Sequence, residues 1–400
     1  MIQKKYDVIC VGGGFGGFAA AVAAARMGRN TLLVERAYAL GGEGAEGIGF
    51  LTGNAKGEIW GEIAGELLRR LKQYSGCADA IRRPARSDML PLNGEAVKVV
   101  MMQMCREAGV ELLFACVPVQ KEGPESFRFF GKGQELVLEA KVFVDGTPEG
   151  ELAALAGAEC LPDAAQTGRL PFTVSQVCME ELLEYAKAHS GEVWVSRDER
   201  CLEGFGSLLD QARRKGYDLP FETLSLYQAA EQGRLVVDGV SVPGVDGSDP
   251  ESLSAGTEKG SLQALQLYGA LRACFPGFGA CRLSSVNHVL VLAPSRHIQC
   301  HTSAALTGAC RHRPLLSLAL SGVPLGALLP CGADHVILAG AAVAAEPAVQ
   351  SILRTGGAEM VVGEAAGVYA ALSAQLNRPA YEEKVREVLS RKKGFEGLLA

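Results

Sequence analysis

The run Gly12-Gly13-Gly14-Phe15-Gly16-Gly17 constrains this chain more than any other feature. It follows Tyr6 to Val11, a short apolar stretch that reads as a buried parallel strand. It opens an Ala-rich segment, Phe15 to Met27, that reads as a helix, with Gly28 as its C-cap. Thr31 to Glu35 then reads as a second strand. The result is a compact β–α–β unit carrying a G-x-G-x-x-G pattern at Gly12, Gly14 and Gly17. In that pattern the first glycine permits the tight turn and the second lets a pyrophosphate approach the backbone. The third lets helix and strand pack closely. The helix N-terminus offers unpaired N–H groups and a positive dipole end. Glu35 lies 23 positions after Gly12, where a carboxylate can accept hydrogen bonds from a ribose. The fingerprint thus predicts a dinucleotide site, and alone it fits NAD as well as FAD.

Length and composition agree with a large globular protein. The 400 residues suffice for two or more domains, with 48 % hydrophobic and 21 % charged residues. A formal net charge of −6 argues against non-specific nucleic-acid binding. The 12 cysteines form no C-x-x-C pair and sit largely in apolar segments, as expected of reduced core thiols in a cytoplasmic protein. Lys4 and Lys5 before the apolar stretch Val8 to Ala25 imitate a secretory leader. Asp7 and the glycine run spoil that pattern, and no segment is long and apolar enough for a convincing membrane span.

Further along, Gly41 to Gly49 is a glycine-rich loop. Gly61 to Tyr74 and Gly94 to Ala108 read as helices, and Val110 to Val119, Ser126 to Phe130 and Glu135 to Leu138 as strands. Val142 to Val144 is a short buried strand before a helix opening at Glu151. Between residues 161 and 330 the pattern is mixed. Glu180 to His189 and Leu262 to Cys274 look helical, and Leu235 to Val242 and Val286 to Leu292 look like strands. His335 to Ala339 resumes a buried strand, and Gly357 to Gln375 is a small-residue helix. The expected fold is α/β: a Rossmann-type domain from residues 1–160 and 331–400, with an α+β substrate domain, residues 161–330, inserted between them.

The opening YDVICVGGGFGGFAAAVAAARMGRNTLLVER resembles the FAD-dependent oxidoreductases of the glutathione-reductase/fumarate-reductase superfamily. The likeness is greatest to the broad bacterial family that includes relatives of heterodisulfide-reductase flavin subunits. VFVDGTPEGELAALAGA (142–158), the PGF at Pro276 to Phe278, VPLGALLPCGADHVILAG (323–340) and RTGGAEMVVGEAAG (354–367) extend it over nearly the whole chain. The resemblance implies FAD as cofactor. It implies a pyrophosphate loop at Gly12, Gly14, Phe15 and Gly17, a ribose carboxylate at Glu35, and Arg36 beside the ribose or adenine. It places Gly41 and Gly42 near the diphosphate or flavin, the Val117 backbone at the adenine, Gly146 against the cofactor, and Gly340 and Arg354 near the flavin end. Three departures stand out: Ala341 where the family has Arg, Thr147-Pro148-Glu149-Gly150-Glu151 for TGDGD, and Arg296-His297-Ile298-Gln299 for the family's RExR.

Arg296, His297 and Arg354 are the catalytic candidates, the first two because their segment lies near the flavin in the family. A histidine exchanges a proton near neutral pH, and an arginine steadies negative charge on a substrate or a reduced flavin. The cluster His297, Cys300, His301, Cys310 and His312 fits no common zinc spacing, so no metal is expected. The tail Tyr381 to Lys393 reads as a solvated helix. The leading expectation is hydride transfer between FAD and a small organic substrate, with an electron-transfer partner in view. An NAD-dependent dehydrogenase and an FAD-binding subunit or sensor are the alternatives.

Overall fold

The computed structural model describes residues 2–45, 50–51, 60–77, 79, 81, 89–162, 165–231, 233–318 and 321–399. Residues 46–49, the end of the expected glycine-rich loop, lie outside that set. The central sheet is built on β1 (Ile2–Val11), which pairs in parallel with β2 (Thr31–Glu35). β2 pairs in parallel with β3 (Glu111–Phe114). Ala115, at φ 53°, ends β3 and divides the strand expected over 110–119; β4 (Val117–Gly123) then starts an antiparallel meander with β5 (Ser126–Gly131) and β6 (Gln134–Asp145). β6 is long enough to serve two neighbours. From Leu136 to Asp145 it runs parallel to β1. On its other side the first half pairs with β5, and Phe143 to Asp145 pair in parallel with β7 (Val336–Leu338). Val8, Ile9, Cys10, Phe143 and Val144 have no exposed surface, as expected where helices cover both faces of a parallel sheet.

α1 (Phe15–Arg26) presents alanine on every side, and Ala19 to Ala24 are fully buried. α2 (Gly94–Ala108) starts where the Asn93 side chain accepts a hydrogen bond from Ala96 N at 2.9 Å, and ends at Gly109 in the left-handed region.

A second sheet has six strands in the order Trp194–Val195, Cys201–Gly204, Leu224–Gln228, Arg234–Asp238, Phe172–Ser175, Arg282–Val286, all antiparallel. It builds a separate core in which Phe172, Leu226 and Val237 cluster with Leu267 and Leu271 of α3 (Pro250–Cys274). The sequence pattern suggested only the last half of α3. The helix starts earlier because Asp249 caps it, accepting from Ser252 N at 3.0 Å, and Pro250 occupies its first turn. The strand expected over 235–242 breaks after Asp238 and resumes at Ser241. The one expected over 286–292 ends at Val286, leaving an isolated bridge at Val291.

The second core draws only on residues between Leu170 and Leu292. Ile298, Leu315, Leu316, Leu318 and Val323 pack instead into the core of the first sheet. α4 (Gly356–Leu376) completes that core by lying directly on α1. A side chain at Gly363 would run into the Gly16 carbonyl, and one at Gly367 into the Ala20 carbonyl, so the two backbones touch. The cysteines are all free; Cys10, Cys105 and Cys201 are buried, whereas Cys160 and Cys178 are exposed rather than core. Among the described residues, no helix is long and apolar enough to cross a membrane.

Candidate active site

The C-terminal ends of β3, β2, β1, β6 and β7 lie in that order across the sheet; Glu35 is the last residue of β2, and Val117, Gly12, Gly146 and Gly340 follow the other four. Four strand spacings separate the first from the last, about 19 Å. All five residues line one cleft of about 500 Å³, an extended groove suited to a dinucleotide.

The glycine run shapes its middle. Gly12 turns at φ 95°, and a Cβ there would lie 2.7 Å from the Gly146 carbonyl carbon. Gly17 does not line the cleft; a Cβ on it would collide with the Gly12 carbonyl oxygen, so its smallness is what lets α1 meet the turn. Gly14 differs from both. Its φ of −65° is ordinary, and a Cβ there would meet nothing within 4 Å, only the open cleft above α1. No side chain caps α1 and no acid occupies its first turn, so its positive end is directed at the groove. Phe15 lines the cleft beside Gly42, with Gly44 close against its ring.

Glu35 Oε2 accepts a hydrogen bond from Gly13 N at 2.5 Å, and Oε1 accepts one from Ala37 N at 2.7 Å. An ionised carboxylate can accept about four hydrogen bonds, which leaves capacity for two ribose hydroxyls. Arg36, at the same end, lies 3.8 Å from Glu151 across the cleft. Behind Gly146, buried Asp145 accepts from Thr147 N at 2.9 Å, Thr147 Oγ1 at 2.6 Å and Ala153 N at 2.8 Å. These bonds fix the turn that carries Gly146. Burial outweighs them and pushes the Asp145 carboxyl up to about 6.

Gly41 and Gly42 line the cleft, as do Glu43, Lys98, His288, Val289, Ala341 and Glu359. His288 and Val289 follow the last strand of the second sheet and close the groove from that side. Sequence reading missed Glu43, His288 and Glu359. Arg354 is not in the wall itself. Its guanidinium donates to the Leu292 carbonyl and lies 3.9 Å from Glu43, whose other oxygen accepts from Leu292 N at 3.5 Å. Glu43 and Arg354 thus grip the segment that follows His288.

Arg296 and His297 lie elsewhere. They form a short strand paired with Cys160–Pro162, and neither lines the cleft. Next to them, Glu149 accepts from Ser295 N at 2.9 Å and 3.1 Å, and Arg296 bears on Glu149 and Cys160. Among the described residues, no three His, Cys, Asp or Glu side chains gather as metal ligands.

A parallel sheet with a glycine turn, an uncapped helix N-terminus and a carboxylate at the end of the second strand defines a dinucleotide-binding protein. The residues present fit FAD: room above Gly14 for the pyrophosphate, spare acceptors on Glu35 for the ribose, and a groove that continues past Gly146 to Gly340. A model of the FAD dependent oxidoreductase family matches residues 7–308, and the chain belongs to that family. It is an FAD-dependent oxidoreductase, which decides between the two cofactors that the fingerprint left open. No curated protein matches it in sequence. In fold it is similar to a geranylgeranyl bacteriochlorophyll reductase-like protein from Thermoplasma acidophilum, with 14 % identity and a TM-score of 0.50 over 97 % of this chain and 84 % of that one. A flavin-dependent brominase gives 14 % identity and a TM-score of 0.52, over 97 % and 84 %. The flavin-dependent monooxygenase PieE, solved with FAD and substrate, gives 13 % and 0.51, over 94 % and 58 %. At such identities the likeness is one of fold.

Proposed function

We propose that this protein transfers hydride between FAD and a small organic substrate held between the Gly340 end of the cleft and the segment His288–Val289. The observation that carries this reading is the continuous groove. Its wall runs from Val117 and Glu35 past the glycine turn to Gly340, and residues of the second unit close it there. FAD, when bound, supplies the two-electron chemistry. The chain binds and orients it: Gly12, Gly14 and Phe15 receive the pyrophosphate, Gly17 lets α1 close on the turn that holds them, and Glu35 and Arg36 receive the adenosine ribose. Val117 meets the adenine, Gly41, Gly42 and Gly146 border the diphosphate, and Gly340 borders the flavin. The unit built on the second core, Leu170 to Leu292, sets substrate choice. Arg354 acts by holding Glu43 and Leu292 in place. Of the histidines near this end, His288 is better placed to face substrate than His297, because His288 lines the groove.

Anaerobic reduction of the FAD-loaded protein by a panel of metabolites, followed by loss of flavin absorbance, tests this reading. Bleaching by one chemical class is expected. Protein that takes up no FAD would overturn the reading. So would loaded protein whose flavin is reduced by artificial electron carriers alone, which points to an electron-transfer partner in place of a small substrate.

A further inference from the structure

Two carboxylates converge in the cleft, and among the described residues one arginine, Arg354, forms an ion pair with either of them. Glu43 comes from a single helical turn, Gly42–Ala45, after β2, and Glu359 from the first turn of α4. Both line the groove. Arg354 lies 3.9 Å from Glu43 and balances one charge. Among the described residues no cation lies within ion-pair distance of Glu359, and Arg354 acts on it only from farther away. It is half-buried, it lines the cleft, and among the described residues no hydrogen bond reaches its carboxylate. A half-buried carboxyl group with spare capacity on the wall of a cofactor groove is a group built to meet a ligand.

We propose that Glu359 gives and takes the substrate's proton at the flavin end of the cleft, with Glu43 as its charge partner. This rests on the hydride-transfer reading above. The substrate class is an alcohol or amine whose hydroxyl or amino group sits on the carbon that loses hydride. In the oxidising direction the C–H bond breaks and hydrogen leaves with the electron pair for the flavin. The neighbouring O–H or N–H bond breaks, its proton goes to the Glu359 carboxylate, and its electron pair closes the C=O or C=N bond. In the reducing direction the protonated carboxyl returns that proton to oxygen or nitrogen. Electrons and protons balance in both directions.

Charge arithmetic explains why a proton stays in this corner. With Glu43 and Glu359 both ionised, the ion pair of Arg354 engages Glu43, and Glu359 keeps only a longer-range share of that charge. Burial, and next the Glu43 charge, therefore push Glu359 up to about 8, against the partial offset from Arg354 and the α4 dipole. A group poised near the working pH exchanges protons in both directions efficiently. His288 is the competing group across the cleft.

The test uses FAD-loaded protein and the variants E359Q, E43Q and H288Q. FAD released on denaturation is counted first. Protein that never loads refutes the oxidoreductase reading, whereas the measurements below refute Glu359 alone. The visible absorption of the bound flavin is then titrated from about pH 6 to 9. Wild type should show a single transition near pH 8, the position set by Glu359. E359Q should lose it. E43Q should lower it by about one pH unit, since a like charge has gone. H288Q should leave it in place. Loaded wild type with no transition overturns the proposal, as does a transition that persists in E359Q or follows His288. If E359Q fails to fold, infrared difference spectra of wild type decide. A protonated-carboxyl band should vanish together with the visible transition, and a visible transition without that band refutes the role.

Discussion

Replacing Glu35 with alanine removes two things at once, and they can be measured apart. The carboxylate accepts from Gly13 N at 2.5 Å and from Ala37 N at 2.7 Å, so it ties the glycine turn to the end of β2 before any ligand arrives. A hydrogen bond to a charged group contributes about 1.5–3 kcal/mol. The Ala37 bond is solvent-exposed and belongs below that range; the Gly13 bond, partly buried, belongs within it. The apo protein should therefore lose about 2–3 kcal/mol. At about 2–4 °C per kcal/mol for a unit of this size, the melting transition of the first unit should fall by about 5–10 °C. FAD binding loses the ribose bonds as well, a further ~1.5–3 kcal/mol, or about 10- to 150-fold in Kd. Calorimetry of the apo protein reads the first effect, and equilibrium titration of apo protein with FAD reads the second. An unchanged melting temperature would show that the Gly13 tie contributes nothing. An unchanged Kd would remove the adenosine ribose from Glu35 and force the groove to be read in another direction.

Two glycines of the same turn should behave oppositely. Gly14→Ala has room within the protein, so melting should move by less than about 0.5 kcal/mol while FAD affinity falls at least about 100-fold. Gly17→Ala should cost about 3 kcal/mol or more in apo stability, because its Cβ meets the Gly12 carbonyl. Asp145 titrates at about 6 when folded against 3.8 unfolded, so the stability linked to its proton is present at low pH and lost as pH rises through 6. Relative to Asp145→Asn, wild type should gain about 1.3 kcal/mol between pH 7 and pH 5, read from urea denaturation at both values; a parallel pH dependence in the two proteins would contradict this. Glu364, buried in α4, accepts from Glu62 N and Ile63 N at 3.1 Å each and lies 3.0 Å from Lys392 Nζ. Glu364→Ala should destabilise by about 3–5 kcal/mol, and a loss below about 1 kcal/mol would show that water replaces the carboxylate.

The adenosine half of the site was legible in the sequence because its chemistry is local. Gly12, Gly14, Gly17 and Glu35 belong to one β–α–β unit, and their spacing along the chain dictates their spacing in the cleft. The redox half was not. Glu43 and Glu359 line one cleft because α4 returns to pack on α1, and no periodicity encodes a meeting between residues 316 positions apart. His288 shares its neighbourhood with an apolar run that looked like a strand, while His297 drew attention through its resemblance and its arginine neighbour. Elements were misjudged where tertiary contacts overrode propensity: Ala115 in a left-handed turn inside an apolar run, and the Ser-, Gly- and Thr-rich first half of α3, which depends on the Asp249 cap and on burial of Gly256 and Gly260.

The backbone contact between α1 and α4 also bears on how the chain is made. Residues 15–26 finish their packing only when residues 356–376 arrive, since the Gly16 carbonyl is covered by Gly363 and the Ala20 carbonyl by Gly367. The second core, drawn from one unbroken stretch between Leu170 and Leu292, has no such wait. On a ribosome adding about 5–20 residues per second, that unit can be complete for several seconds while the nucleotide-binding sheet still lacks β7 and its covering helix. During this interval the apolar edge of β6 at Phe143 and Val144 is open to the wrong strand.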